Sequence, residues 1–369
     1  MRWQHCSPGA QWHGEAGLRE VLAQLAGFEA PASSWESSLL AVRVANYKPE
    51  WLDNLCLRGE MAWGRLTPPV TRPAVSSSVR PANMDEIWTV ETVGVVPASK
   101  PLTPTSLVPI SFCRRQDLEW MLEIARPEKP LKSSVMRMPL SGVAQDIYEC
   151  LTARGACFFS ELKTRTSHLA TEVEQALWEL VAAGLATADG FDPLRALLDP
   201  RRRRAEGKDR ARRPRHSAGR WSLLENHEKD SYDDESVPQH PHERWATQLA
   251  RRYGVVFRDV LKRETLPVTW RELLIQYRKM EWKGEMRGGR FVNGYTGEQF
   301  ALPEAVEALR AVRRDVQAGS QEVRLSHADP LNLIGIILPG ERISPHISKP
   351  IIIRNGMPVA EPISIANMG

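Results

Sequence analysis

A chain of 369 residues is too long for one ordinary core and long enough for two or three units, each able to bury most of its apolar side chains. An apolar fraction of 42% and a charged fraction of 25% exclude a disordered chain, and no apolar run approaches the ~20 residues needed to span a bilayer. The net charge of +4 is mild but uneven: ten Arg or Lys against Glu206 and Asp209 lie between Arg201 and Arg220, leaving the rest slightly acidic.

The opening Met1-Arg2-Trp3-Gln4-His5 lacks the apolar stretch of a secretory signal, so a cytoplasmic, nucleoid-associated protein is expected. A first unit over residues 1–66 contains a helix at Trp51–Arg58 that a glycine, Gly59, ends. Residues 67–130 read as a loop and β-rich segment: Thr67–Asn83 is rich in Pro and Ser and leads to a strand candidate at Ile87–Val93. A second unit, 131–200, holds a helix at Val143–Arg154, a short one near Phe159–Thr164, and one from Val173 to Gly184. In that last helix Val173, Ala176, Leu177, Leu180 and Val181 recur at helical spacing and form one apolar stripe.

Residues 201–243 read as a charged linker, because Arg201–His216 is too basic to bury and Asp230–Glu235 is acidic. The third unit, 244–315, begins with a helix from about Trp245 to Leu261. A second helix carries the stripe Trp270, Leu273, Leu274, Tyr277 and Met280 and ends at Gly284. Two strands follow, Glu285–Val292 and Tyr295–Leu302, joined by Asn293-Gly294 in the pattern of a two-residue hairpin. Residues 316–369 form a β-rich, barrel-like segment with strands at Leu331–Ile337 and Pro350–Arg354. The five cysteines fit neither a disulfide framework nor a zinc site, so buried reduced thiols and no metal are expected.

An internal repeat organises these elements. Gly59, Gly184 and Gly284 each end a helix and are each followed seven residues later by an apolar residue, Leu66, Phe191 and Phe291. Helix, helix, then hairpin is the plan of a winged helix, whose last helix and wing commonly contact nucleic acid. The predicted class is therefore mixed α/β, with tandem winged-helix modules and the β-rich C-terminal segment.

Six passages carry a family resemblance: Leu25-Ala26-Gly27-Phe28-Glu29-Ala30-Pro31, Ala176–Leu185, Gly219–Leu224, Arg252–Arg258, Arg287–Phe291 with Gly297–Leu302, and Ala328-Asp329-Pro330-Leu331-Asn332. They resemble the C-terminal half of long bacterial Lhr (large helicase-related) proteins of helicase superfamily 2. In that family an ATP-driven DNA translocase with two RecA-like domains precedes tandem winged helices and a β-barrel, and the family is linked to DNA repair. The resemblance implies a DNA-binding C-terminal region without its motor, with ATP and Mg needed only by the full-length family and no cofactor here. The chain has no Gly-x-x-x-x-Gly-Lys-Ser/Thr phosphate loop, in keeping with that. Relatives continue beyond both ends, which implies a truncated first unit, a gene remnant or half of a split helicase. DNA is the expected partner, with a helicase motor chain or self-association as further contacts and no membrane.

The third unit concentrates the candidate phosphate-binding residues: Arg271, Arg278, Lys279 and Lys283 off the apolar stripe, and Arg287 and Arg290 beside Gly288-Gly289 in the wing. The second unit shows Glu172, Glu174, Gln175 and Glu179 on its corresponding helix, which would repel phosphates and suits a spacer or protein contact. In the first unit Trp63 and Arg65 follow the helix like a wing, as a base-stacking aromatic and a phosphate ligand or as parts of their own core. The Arg201–Arg215 run reads equally as a loose DNA contact and as a solubilising linker. Whether the chain is an enzyme stays open. The alternative is a glycosylase, since Lhr C-terminal regions resemble AlkZ-type DNA glycosylases in fold and some members are associated with uracil removal. Asp329 and Glu298 are then the candidates for positioning water, although Asp329 before Pro330 also suits a turn and Glu298 a hairpin. An oligomerisation or partner-binding module is the second alternative.

Overall fold

A computed structural model of the chain describes residues 1–69, 107–126, 140–198, 219–225, 240–314, 322–342, 344–345, 347 and 349–359. Three times a helix leads into a short strand, two further helical segments and two more strands, and the first strand of each set pairs with the last. This is the winged-helix order, on a mixed α/β chain.

The first module contains β1 (Trp12–His13), α1 (Gly14–Gln24), β2 (Ala30–Pro31), α2 (Ala32–Ser34, continued as a π-helical stretch Trp35–Leu40) and β3 (Val44–Ala45). It continues with α3 (Pro49–Leu57), β4 (Met61–Gly64), β5 (Pro109–Arg114) and α4 (Leu118–Ala125). Its sheet runs β2-β5-β4, and β1 pairs with β3 in parallel beside it. The second module holds α5 (Gly142–Arg154), β6 (Cys157–Phe158), α6 (Phe159–Thr166), α7 (Ala170–Ala182), β7 (Ala186–Ala188), α8 (Asp192–Leu198) and β8 (Arg220–Leu223), in sheet order β6-β8-β7. The third has α9 (Pro241–Tyr253), β9 (Val255–Val256), a 3-10 helix Arg258–Arg263, α10 (Trp270–Trp282), β10 (Arg287–Gly289), β11 (Gln299–Ala301) and α11 (Pro303–Arg314), in order β10-β11-β9.

Two strands change the expected boundaries. β5 pairs with β4 from Met61↔Arg114 to Gly64↔Ser111, so the first unit does not end at residue 66 but recruits its last strand from the segment 67–130. β8 likewise lies inside the expected linker 201–243 and completes the second module against β7 and β6. A wing tolerates such insertions because the entropy of closing a loop grows only slowly with its length. The strand expected at Ile87–Val93, the Arg201–His216 run and the acidic Asp230–Glu235 stretch lie outside the described residues.

The repeat resides in the helix ends. Gly59, Gly184 and Gly284 have φ of +72°, +76° and +79°, where L side chains are strained. At each the glycine N–H bonds back to the carbonyl of Cys56, Val181 or Glu281 (2.9, 3.0 and 2.9 Å), and the next N–H reaches that of Leu55, Leu180 or Met280 (3.1, 2.8 and 2.9 Å). Each is a Schellman cap that turns the chain into a wing strand.

Four expectations of the sequence are corrected. The helix expected to reach Leu261 stops at Tyr253, because Gly254 takes φ of +72° and the next two residues pair with β11. The hairpin after α10 is not a two-residue turn: β10 and β11 pair only from Arg287↔Ala301 to Gly289↔Gln299, leaving nine residues between them. The buried Gln299 side chain takes the place of the missing rungs, accepting from the N–H of Phe291 and Val292 and donating to the Val292 carbonyl. In the last segment, β12 (Glu322–Leu325), β13 (Ile351–Arg354) and β14 (Met357–Pro358) make a three-stranded antiparallel sheet, and among the described residues no barrel closes. Leu331–Ile337 forms turns rather than a strand, with one isolated bridge from Ile334 to Leu338.

One apolar core spans the first and second modules, and another joins α4 to the third. Trp245 of α9 packs so closely under Gly27 that a Cβ there would stand 2.7 Å from the indole. The first residues are packed in as well: Trp3 Nε1 and Gln4 Nε2 donate to the Arg251 and Arg252 carbonyls at the end of α9. The described cysteines are all free, four of them buried. Among the described residues no helix is long and apolar enough to cross a membrane, and no group of three His, Cys, Asp or Glu could hold a metal.

Candidate nucleic-acid interface

Helix α10 starts at a capping box. Thr269 Oγ1 accepts from the Glu272 N–H, and the Glu272 carboxylate accepts from the Thr269 N–H at 2.8 Å, which lowers the Glu272 pKa. Leu273, Gln276, Tyr277 and Met280 form the buried face, with Tyr277 stacked on Phe300 of β11 and donating its hydroxyl to the Ala246 carbonyl. That packing turns Arg271, Ile275, Arg278, Lys279 and Trp282 to solvent. The wing strand runs beside the last turn of the helix, because Gly288 N–H donates to Glu281 Oε1 at 2.9 Å. A Cβ on Gly288 would stand 2.3 Å from that oxygen, so a larger residue there would displace the Glu281 carboxylate from this bond.

The six cations expected here divide into two groups. Arg278 is gripped by Glu298 through Nη2 at 2.6 Å and Nε at 3.1 Å, and Lys283 reaches Glu243 at 3.1 Å; each hydrogen bond raises the pKa of its cation. The Arg278–Glu298 pair is exposed on both sides and opens at little cost when a phosphate competes, whereas Lys283 is exposed but its partner Glu243 is partly buried. Arg271, Lys279, Arg287 and Arg290 are exposed and have no hydrogen bond or ion pair through their side chains among the described residues. Strand β10 ends at Gly289, so Arg287 lies on the strand and Arg290 in the loop that follows.

The other candidates are engaged. Trp63 is fully buried, though not within its own module: its indole N–H donates to the Gly190 carbonyl at 2.9 Å and its ring meets Phe191 and Trp221 edge-on, all three residues of the second module. Arg65 is half-buried between modules, donating to the Ala182 carbonyl at 2.7 Å and the Thr67 carbonyl at 2.8 Å, and burial lowers its pKa. Asp329 is 1% exposed and bound through both oxygens by Arg43, at 2.8 and 2.9 Å. Glu298 is the exposed partner of Arg278. The structure thus puts Asp329 in a structural ion pair and joins Glu298 to the cation cluster. On α7, Glu172 caps the helix, and Glu179 is buried, accepting from the Ser141 N–H and hydroxyl at the start of α5. Residues absent from the sequence reading are Gln299, which orders the wing loop, and Ile275 and Trp282, which are 52% and 89% exposed on the cationic face. Their signal was present: neither falls on the apolar stripe of α10.

The large helicase-related protein winged-helix domain matches this chain twice, in its third-domain form over residues 1–76 and in its fourth-domain form over residues 235–321. Over 359 residues the chain is 30% identical to a Mycolicibacterium smegmatis protein named Lhr helicase/probable uracil glycosylase. It is 29% identical over 363 residues to an Escherichia coli protein named Lhr helicase/uracil glycosylase. These alignments take in 91% and 90% of the chain but 20% of each relative, so the chain spans about a fifth of their length. Among solved structures, DNA glycosylase AlkZ of Streptomyces sahachiroi superposes with a TM-score of 0.51 at 14% identity, covering 97% of this chain and 85% of that one. At that identity the likeness is one of fold.

Proposed function

Because the chain belongs to the large helicase-related family and corresponds to its C-terminal winged-helix region, we propose that it binds DNA through α10 and the β10–β11 wing of its third module. The observation that carries this reading is the set of four exposed cations, Arg271, Lys279, Arg287 and Arg290, unpaired among the described residues, on the helix and wing that a winged helix offers to nucleic acid. In this reading they take phosphates, so affinity is general rather than base-specific and falls steeply with salt. In this reading the chain serves an Lhr-type helicase in DNA repair, with ATP hydrolysis carried out by residues outside it.

Alanine at Lys279, Arg287 and Arg290 together is expected to weaken binding to all sequences alike. It should also lower the slope of log affinity against log salt by about 3, near one unit per lost phosphate contact. Salt-independent binding, or undiminished affinity in the triple variant, would overturn the proposal.

The names of the two relatives, which include uracil glycosylase, together with the fold likeness to a DNA glycosylase, favour a second reading, removal of uracil from DNA. Asp329 is unsuited to positioning water, since it is buried with Arg43 on both of its oxygens; Glu298 is also held by Arg278 through both oxygens, but at the surface, where the pair can open, which leaves it the better of the two carboxylates. Incubation with uracil-containing single strands followed by alkali should then produce breaks, lost in Glu298→Gln. Intact strands would reject this reading.

A further inference from the structure

Trp282 is 89% exposed, more than any other large apolar side chain among the described residues. It occupies the last helical position of α10, on a turn held from two sides: by the Schellman bonds at Gly284 and by the Gly288 N–H on Glu281. Arg271, Ile275, Arg278 and Trp282 stand at i, i+4, i+7 and i+11, within an arc of about 60° on the helix. An arginine, a half-exposed isoleucine, a second arginine and a bare indole thus form one stripe, with Lys279 beside it.

We propose that this stripe takes an unpaired base on the Trp282 indole while the cations around it hold the flanking phosphates, so that the third module engages a single strand, or a single-strand to duplex junction, in preference to unbroken duplex. The inference rests on the DNA-binding reading above and narrows its substrate. In a duplex each base face is covered by the next pair, and the indole has nothing to stack on; an unpaired base offers a free π-face whatever its identity. A protein partner would suit an exposed tryptophan too, but the charge around it favours a polyanion. Between Trp270 and Glu298 there are six Arg or Lys and four Glu, and three of those carboxylates are already engaged: Glu272 by Thr269, Glu281 by Gly288 and Glu298 by Arg278. The cations Arg271, Lys279, Arg287 and Arg290 are the ones left without partners among the described residues.

The test compares the full chain with Trp282→Ala and Trp282→Phe in anisotropy titrations of three labelled probes of one sequence: a 20-nucleotide single strand, the 20-base-pair duplex, and that duplex with a single-stranded overhang. Trp282→Ala should bind the single strand and the overhang about five- to a hundredfold more weakly, the loss of one stacked base, with duplex affinity within about twofold. Trp282→Phe should retain most of the affinity, and melting temperatures should coincide, since the side chain packs on little. 2-Aminopurine placed in the overhang should change its fluorescence on binding the parent chain and not on binding Trp282→Ala. Equal losses on all three probes, no loss on any, or a parent oligomer that Trp282→Ala dissociates would overturn the inference while leaving phosphate binding standing. Failure of the parent chain to bind any probe would overturn the DNA-binding reading with it.

Discussion

Arg43 and Asp329 are 0% and 1% exposed and 286 residues apart in the chain, and their bidentate contact ties the C-terminal segment to the first module. A charge buried this deeply depends on its partner. Asp329→Asn, which leaves the guanidinium unneutralised, is expected to cost about 3–5 kcal/mol in urea unfolding, whereas replacing both residues with leucine should restore much of the loss. Two residues away in the chain, His327 is buried with its pKa lowered from the usual 6.5, and burial is the cause. The unfolded chain takes up that proton first, so the stabilisation is complete above pH 6.5 and is lost as pH falls through the folded value. Denaturation midpoints should therefore drop on acidification below pH 6.5, by less in His327→Gln; identical profiles would assign the acid sensitivity elsewhere.

At the scale of elements, the three helix caps share their bonding and differ in what surrounds them. An alanine Cβ at Gly284 would meet nothing within 4 Å, while at Gly184 it would stand 2.9 Å from the Arg65 carbonyl oxygen. Both substitutions force an L residue to positive φ, for about 1–2 kcal/mol. Gly184→Ala should lose measurably more than Gly284→Ala in thermal unfolding, because backbone must move as well. The glycine spacing made all three helix ends legible in the sequence. The hairpin was less so: Asn293-Gly294 does form a turn, with Gly294 at φ of +83°, but Gln299 holds the loop open by bonding the backbone that a tight hairpin would have paired. No local pattern distinguishes a glutamine that serves a loop from one that faces solvent.

Across the whole molecule the modules are interlocked rather than strung. Trp245 is fully buried under Gly27, Arg252 reaches the Ala26 carbonyl, and Arg126 of the first module donates to the Gly184 carbonyl of the second. Excising residues 235–321 would uncover Trp245 and its neighbours on α9, so the fragment is expected to melt ~10 °C or more below the intact chain, as the loss of a few kcal/mol implies. Equal melting temperatures would show that the third module stands alone.

Periodicity, helix-ending glycines and the off-stripe cations depend on neighbours within about one turn, and the sequence by itself therefore determined the winged-helix plan and the cationic face of α10. Contacts between distant residues are set by packing, and only the tertiary structure decided those. Through it β5 and β8 join the modules before them, Trp63 and Asp329 are buried in the interior, Arg278 and Lys283 are paired while Lys279, Arg287 and Arg290 have no partner among the described residues, and one tryptophan on the cationic face is left uncovered.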